Sequence, residues 1–128
     1  EAALSKSILI VDDDRVSRTL YTRILQHAGF YVYEAADGAD GIAKAKALTP
    51  DLMILDVVLP KVDGLTVCRT LRADEQFASL PIFVVSGRVD KKTVEMGLSS
   101  GATQYLTKPI RRHVLLDHIE QHLAQLSV

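Results

Sequence analysis

The stretch LMILDVVLP, residues 52–60, places an acid where the pattern of the chain predicts the protein interior. Four apolar residues lead directly into Asp56, as in a strand that is buried on both faces. Two valines, a leucine and a proline follow it. Because an isolated carboxylate is costly to bury, Asp56 needs partners from elsewhere in the chain.

Five short apolar runs recur along the 128 residues. The first, third and fourth are continuously apolar and rich in Ile, Val and Leu, which is typical of a parallel sheet covered on both sides. The second and fifth are more mixed, as expected of edge strands. The runs are ILIV at 8–11, YVYEA at 31–35, LMIL at 52–55, IFVV at 82–85 and QYL at 104–106.

Helical patterns lie between these runs and after the last one. Alternating strands and helices predict an α/β fold of the (βα)5 type, a doubly wound parallel five-stranded sheet with right-handed crossovers and helices on both faces. No linker or repeat divides the chain, so residues 1–128 are expected to form a single domain. The patterns are the apolar stripe Val16, Leu20, Ile24, Leu25 and Ala28 before Gly29; the alanine-rich residues 38–48; Leu65, Cys68 and Leu71; Val94 and Leu98; and Leu115, Ile119, Leu123 and Leu126.

The predicted strand ends carry polar residues that are far apart in sequence. Ligands of open parallel sheets gather outside the carboxyl ends of the strands, so these residues are expected to converge. Crowded carboxylates raise one another's pKa, and a divalent cation relieves the repulsion. Because no Cys or His occurs at these ends, Mg²⁺ suits the oxygen ligands better than zinc. The first strand ends in Asp12-Asp13-Asp14, the third in Asp56, the fourth in Ser86-Gly87 and the fifth in Thr107-Lys108-Pro109.

This set of groups suits the transfer of a phosphoryl group. An unperturbed Asp has a pKa of about 3.9 and is ionised at neutral pH. Its carboxylate can attack phosphorus and form an aspartyl phosphate. A metal would neutralise charge on the transferring group, and Lys108 would pair with its oxygens. Asp56 ends a central strand, which provides the rigid mount that a nucleophile needs.

Each residue also has an ordinary structural explanation. Asp14 is a good helix N-cap, and we expect capping to be its role. Ser86-Gly87 is a common turn pair, and Asp56 could be a plain loop acid. The single cysteine, Cys68, lies on the apolar face of a helical pattern, where we expect a small buried hydrophobe. The joint occurrence of the set at one predicted edge favours a functional site.

The same residues resemble a known family. VDDD at 11–14, LDVVLP at 55–60 with Asp63-Gly64, the hydroxyl of Ser86 and GATQYLTKP at 101–109 are similar, in this order and spacing, to the receiver domain of two-component response regulators. The resemblance extends from about Ser7 to Leu126. It implies a flavodoxin-like strand order 2-1-3-4-5 in a three-layer sandwich, and a signalling switch that is phosphorylated rather than an enzyme.

The resemblance also assigns the roles at the site. It implies that Asp56 is the phosphoacceptor and that Lys108 contacts the phosphoryl group. It implies a Mg²⁺ ion held by Asp56, by Asp13 directly and by Asp12 through water. The backbone carbonyl of Val58 would complete the protein ligands of the metal.

A switching mechanism and partners follow from the same resemblance. Ser86 would be the switch hydroxyl, Tyr105 the aromatic residue that turns inward, and the Lys108–Pro109 bond cis. The implied phosphodonor is a histidine kinase or a His-containing phosphotransfer protein. Phosphorylation would reshape the face of the fourth helix, fifth strand and fifth helix, which would control an output domain or a downstream protein, or form a dimer.

Several positions depart from the commonest pattern of the family. Leu59 stands where methionine is frequent, and Gly87 replaces a common alanine, which could open the phosphoryl site to water. Val58 is apolar and cannot orient an attacking water, and Arg88 could reach over the phosphoryl group. We therefore expect a phosphorylated state that is not especially short-lived, and decay within seconds would contradict this expectation.

Two other classes of protein fit part of the pattern. In a haloacid-dehalogenase-like phosphatase Asp12 would be the nucleophile and Asp14 the general acid. That class needs a later acidic pair, and only Asp117 and Glu120 follow Lys108. A receiver-like domain that serves only as a binding module is the third interpretation, and the full set of acids argues against it. A flavodoxin is excluded because its first loop should be a phosphate cradle rather than three acids.

The composition is that of an ordinary globular domain, with 48% hydrophobic and 24% charged residues. A net charge of −1 gives no reason to expect nucleic acid or an anionic membrane as a partner. One cysteine and no long apolar run favour a cytoplasmic location. The chain could be a free-standing receiver, but it starts without Met, so we expect instead a piece cut from a larger regulator or hybrid kinase, with residues 1–6 disordered or vector-derived.

Overall fold

The computed structural model describes residues 6–126, the last three of them by backbone alone. The five apolar runs form strands, and each helical pattern forms a helix. The strands are β1 (Ser7–Val11), β2 (Tyr31–Ala35), β3 (Leu52–Asp56), β4 (Ile82–Ser86) and β5 (Gln104–Thr107). The helices are α1 (Arg15–His27), α2 (Gly38–Leu48), α3 (Gly64–Arg72), α4 (Lys91–Ser99) and α5 (Arg112–Leu126), and a 3-10 turn (Glu75–Phe77) follows α3.

The strands make one parallel sheet in the order β2-β1-β3-β4-β5, which confirms the predicted fold. The register aligns the carboxyl ends of the central strands. Val11 pairs with Leu55, and Asp56 pairs with Val85. Ser86 pairs with Thr107 at the end of β5. The residues that end or follow β1, β3, β4 and β5 therefore meet at one edge of the sheet.

Each face of the sheet has its own hydrophobic core. Successive side chains of a strand point to opposite faces, so Leu9 and Val84 pack in one core and Ile8 and Phe83 in the other. The first core is completed by buried residues of α2 and α3, and the second by those of α1 and α5. Helices thus cover both faces and give three layers.

Only part of the apolar stripe that predicted α1 lies on the buried face of that helix. Val16 is 76% exposed and Leu20 is 53% exposed, whereas Tyr21 and Leu25 are buried. The buried face is centred on Tyr21 and Leu25. The Arg18 side chain also turns inward, where it contacts the chain after β1. The helix itself was predicted correctly, and Val16 and Leu20 form an exposed apolar stripe on its surface.

Two local predictions are confirmed by side-chain contacts. Asp14 caps α1, since its carboxylate accepts hydrogen bonds from the backbone N–H groups of Val16 and Ser17 at 3.3 Å. Cys68 is fully buried on α3, and burial raises the pKa of its thiol. Both residues therefore have structural roles.

The expectation for residues 1–6 falls almost wholly outside the described part of the chain, which begins at Lys6. The carbonyl of Lys6 accepts a hydrogen bond from the backbone of Tyr31 at 3.0 Å. Among the described residues, none of the helices combines the length and the apolar character that crossing a membrane requires.

Candidate functional site

The candidate site lies where the carboxyl ends of β1, β3 and β5 meet. Asp12 follows β1, Asp56 is the last residue of β3, and Lys108 follows β5. The Lys108 Nζ atom lies 3.1 Å from Asp12 Oδ2 and 3.0 Å from Asp56 Oδ2. The side chains of these acids are only 4% and 11% exposed. One ammonium group thus bridges two buried carboxylates from distant parts of the chain.

Burial and the neighbouring charges shift the pKa values of Asp56 and Lys108. Burial is the main reason that the pKa of Asp56 is raised, and Lys108 offsets it only in part while the Asp12 charge adds to it. Burial alone would lower the pKa of Lys108, but its hydrogen bonds to Asp56 and Asp12 raise it. The lysine therefore stays charged, whereas burial disfavours the charged form of Asp56.

Asp12 is fixed by contacts on all of its oxygens. Its Oδ1 atom accepts a hydrogen bond from the backbone of Asp14 at 2.8 Å, and its Oδ2 atom accepts one from Lys108. Its backbone carbonyl accepts a hydrogen bond from Arg18 Nη1 at 2.8 Å. Arg18 is itself held by Glu34 of β2, also at 2.8 Å. These contacts fix the loop that carries the neighbouring acid, Asp13.

The acids suit a hard divalent cation. One carboxylate oxygen from each of Asp12, Asp13 and Asp56 lies within 4.8 Å of the others. Asp13 is exposed, so its carboxylate faces the side from which an ion would enter. A cluster of oxygen ligands that is open to water suits Mg²⁺, which keeps several water ligands. The raised pKa of Asp56 fits the same conclusion, because a cation would favour its charged form.

The loop after β3 is shaped closely around Asp56. The backbone of Val58 donates to Asp56 Oδ1 at 3.3 Å, and the Val58 side chain is 70% exposed at the mouth of the site. Gly64 donates to the carbonyl of Val57 at 2.9 Å, and a Cβ atom on Gly64 would collide with the carbonyl oxygen of Asp56. Only glycine fits at this first position of α3.

Ser86 and Tyr105 both contact the backbone of Arg88, in the loop between β4 and α4. Ser86 is 3% exposed, and its Oγ atom accepts a hydrogen bond from the Arg88 N–H at 3.1 Å. The Tyr105 hydroxyl donates to the Arg88 carbonyl at 2.7 Å. The guanidinium of Arg88 pairs with Asp90 at 3.0 Å and is turned toward α4 in this structure. The Lys108–Pro109 bond is cis, as expected.

Sequence reasoning missed Arg18 as a part of this site. No short motif marks it, since its two partners come from the chain after β1 and from β2. The predicted acids and Lys108, by contrast, all follow strands, and the parallel fold brings strand ends together.

Comparison with known families identifies the chain. The response regulator receiver domain family matches residues 8–120. The chain is a response regulator receiver domain. Its curated relatives include the DNA-binding dual master transcriptional regulator RpaA of a Synechocystis strain, which is 47% identical over 104 residues. These residues are 80% of the receiver domain described here and 42% of RpaA, so the chain spans less than half of that relative.

Solved structures of receiver proteins are also similar. The chemotaxis protein CheY4 of Vibrio cholerae is 31% identical and matches 91% of this receiver domain and 98% of its own chain, with a TM-score of 0.86. The receiver domain of the sensor histidine kinase PA1611 of Pseudomonas aeruginosa is 28% identical and matches 94% and 98%, with a TM-score of 0.88. That structure has a magnesium ion coordinated in its active-site cleft.

Proposed function

We propose that this receiver domain is a switch that accepts a phosphoryl group on Asp56 from a histidine kinase or a His-containing phosphotransfer protein. The observation that carries the proposal is the bridge of Lys108 between Asp56 and Asp12, beside the exposed Asp13. Lys108 is the one ammonium partner of Asp56 among the described residues, and Asp12 shares it. A buried carboxylate paired in this way is poised to take up further cationic and phosphoryl groups.

In the proposed reaction, the Asp56 carboxylate attacks phosphorus, a new O–P bond forms, and the bond from phosphorus to the donor nitrogen breaks. Lys108 pairs with the phosphoryl oxygens. Asp12, Asp13, Asp56 and the carbonyl of Val58 would hold Mg²⁺. When bound, this ion neutralises charge on the transferring group.

The product is an acyl phosphate on the protein itself, so the proposed role is that of a phosphoacceptor and not of a turnover enzyme. The rival phosphatase chemistry needs Asp12 as the nucleophile, but its side chain is 4% exposed against 11% for Asp56. Its Oδ1 atom also accepts a 2.8 Å hydrogen bond, whereas the contact at Asp56 Oδ1 is 3.3 Å long. Asp117 and Glu120, the only later acids, are exposed residues of α5. This arrangement favours Asp56 as the reacting acid.

The proposed switch passes through Ser86 and Tyr105. The Ser86 hydroxyl would turn toward a phosphoryl oxygen and release the backbone of Arg88, which Tyr105 also holds. The surface of α4, β5 and α5 would then change and control an output domain, a downstream protein or a dimer contact. The match to a transcriptional regulator such as RpaA supports a cytoplasmic location and an output domain that, unlike this one, binds DNA.

The phosphodonor is proposed to contact the exposed apolar stripe of α1. Val16 and Leu20 are exposed, and α1 begins directly after the acids of the site. A donor that reaches Asp56 must cover this neighbouring surface. Leu20→Ser is therefore expected to slow labelling by a phosphohistidine protein without slowing labelling by acetyl phosphate, and equal slowing of both would contradict this contact.

Treatment with acetyl phosphate and Mg²⁺, followed by intact-mass measurement, tests the main proposal. We expect one phosphoryl group on the wild type and almost none on Asp56→Asn. Asp74→Asn is the matched control, because Asp74 only caps the 3-10 turn and Asn keeps that capping ability. Equal labelling of wild type and Asp56→Asn would place the acceptor elsewhere, and rapid turnover of p-nitrophenyl phosphate would favour the phosphatase.

A further inference from the structure

Gly97, in the second half of α4, lies against the Cδ2–Cε2 side of the Tyr105 ring. A Cβ atom at position 97 would be 2.7 Å from Tyr105 Cδ2 and 3.0 Å from Cε2. These separations are far below the ordinary contact distance between carbon atoms. The Tyr105 ring therefore occupies the space that any other amino acid at position 97 would fill.

The helix offers no other reason for a glycine at this position. Gly97 is an interior residue of α4 with an ordinary helical backbone, unlike Gly29 and Gly101, which have positive φ angles. Glycine in the interior of a helix is destabilising relative to alanine. The space taken by the Tyr105 ring explains why α4 has a glycine here despite the lower helix stability.

The docked ring is linked to the candidate site through one residue. The Tyr105 hydroxyl donates to the carbonyl of Arg88, while the N–H of the same residue donates to Ser86 Oγ. The two side chains therefore hold opposite ends of the Arg88 backbone. Ser86 and Tyr105 therefore contact the same loop.

We propose that Gly97 is a positioning residue for Tyr105, and that it allows the ring to dock against the loop between β4 and α4 before any phosphoryl group is present. The inference rests on the proposed function for its role in switching, but not for the docking itself. A side chain at position 97 would displace the ring, break its hydrogen bond to Arg88, and release the loop that follows Ser86.

A double-mutant cycle separates this proposal from ordinary helix propensity. In the Tyr105→Ala background the space above position 97 is empty, so Gly97→Ala is expected to raise the midpoint of thermal unfolding. In the presence of Tyr105 the same substitution is expected to lower it. An increase of the same size in both backgrounds would overturn the proposal. If the single variant fails to fold, a folded double variant supports the proposal and an unfolded one overturns it.

A spectroscopic measurement reports on the ring directly. The chain has four tyrosines, so 3-fluorotyrosine labelling gives four ¹⁹F resonances, and Tyr105→Phe identifies the relevant one. We expect Gly97→Ala to move the Tyr105 resonance toward the position of a solvent-exposed tyrosine and to leave those of Tyr31 and Tyr33 in place. An unchanged Tyr105 resonance would overturn the proposal.

Both measurements are made without phosphodonor, so they do not depend on the phosphoacceptor role. Failure of the wild type to label with acetyl phosphate would refute the proposed function and leave the docking test intact. Normal labelling, together with an unmoved Tyr105 resonance in Gly97→Ala, would refute only the role of Gly97.

Discussion

Aspartate occurs both at the helix starts and in the pocket at the strand ends, and the pKa values of Asp90 at a helix start and of Asp56 in the pocket shift in opposite directions. Asp90 caps α4, and the hydrogen bond from the Thr93 hydroxyl is the main cause that lowers its pKa to about 2. Backbone and side-chain hydrogen bonds from Thr66 likewise lower the pKa of Asp63, which caps α3. Burial instead raises the pKa of Asp56 in the pocket.

The pKa shifts have opposite directions because the two regions differ in the hydrogen-bond donors that they supply to the carboxylate. A capping carboxylate receives N–H and O–H groups that the helix would otherwise leave unpaired, so its charge is stabilised where it stands. Asp56 accepts one 3.3 Å hydrogen bond from the backbone N–H of Val58. Its other hydrogen bond comes from Lys108, which also donates to Asp12. An acid that is fully paired is structural, whereas an acid that is buried with too few donors is prepared for a cation or a phosphoryl group.

The largest expected effect comes from removal of Lys108, the ammonium group that Asp12 and Asp56 share. Lys108→Met should slow labelling of Asp56 by acetyl phosphate by about 100-fold, the usual loss on removal of one charge-stabilising donor. The time course of labelling, read by intact mass, measures it. Lys91→Met is the control, because Lys91 is 90% exposed and makes only a 3.9 Å contact with Glu95. Equal rates for the two variants would show that Lys108 does not act on the phosphoryl group.

The second prediction concerns stability in the pocket. Because the fold disfavours the charged form of Asp56, Asp56→Asn should stabilise the metal-free protein at neutral pH by an amount on the order of 1 kcal/mol. Urea unfolding measures the difference. Mg²⁺ should reduce it, since the ion is expected to bind the folded wild type more tightly than the variant.

The pH dependence of this difference has a defined sign. The folded-state pKa of Asp56 lies above its unfolded value of 3.8. The wild type should therefore gain stability relative to Asp56→Asn as the pH falls through that raised pKa. If the stability advantage of Asp56→Asn over the wild type grew on acidification, burial of the Asp56 charge could not be its cause.

The smallest expected effect is at a helix start, and it has the opposite sign. Asp63→Ala should destabilise the protein by about 1 kcal/mol through loss of the cap, while Asp63→Asn should retain most of the stability. Because the folded-state pKa of Asp63 is lowered, its contribution is present above the unfolded pKa of 3.8 and is lost as the pH falls through the folded value. Stabilisation by Asp63→Ala would remove the distinction between the two regions.

Much of this arrangement was predictable because it depends on strand ends. Continuous apolar runs indicated a parallel sheet, and the register of such a sheet brings the strand ends next to Asp12, Asp56 and Lys108 to one edge. The Asp14 cap was predictable because it depends only on the next three residues.

The features that escaped prediction depend on side chains that meet across elements. Val16 and Leu20 repeat with helical spacing, but that spacing does not show which face of α1 packs on the sheet. Arg18 turns inward because of an acceptor that only the folded loop supplies. The contact of Gly97 with Tyr105 joins α4 to β5, and the isolated glycine carries no mark of it in the sequence.

The Lys108 bridge also has a consequence for the order of folding. Its partners precede it by 96 and 52 residues, so the pocket closes only after β1, β3 and the end of β5 have joined the sheet. Contacts of such long range are late and slow to form. A nascent chain still lacking β5 would carry the acids without their ammonium, and signalling competence would arise only once synthesis has passed Lys108.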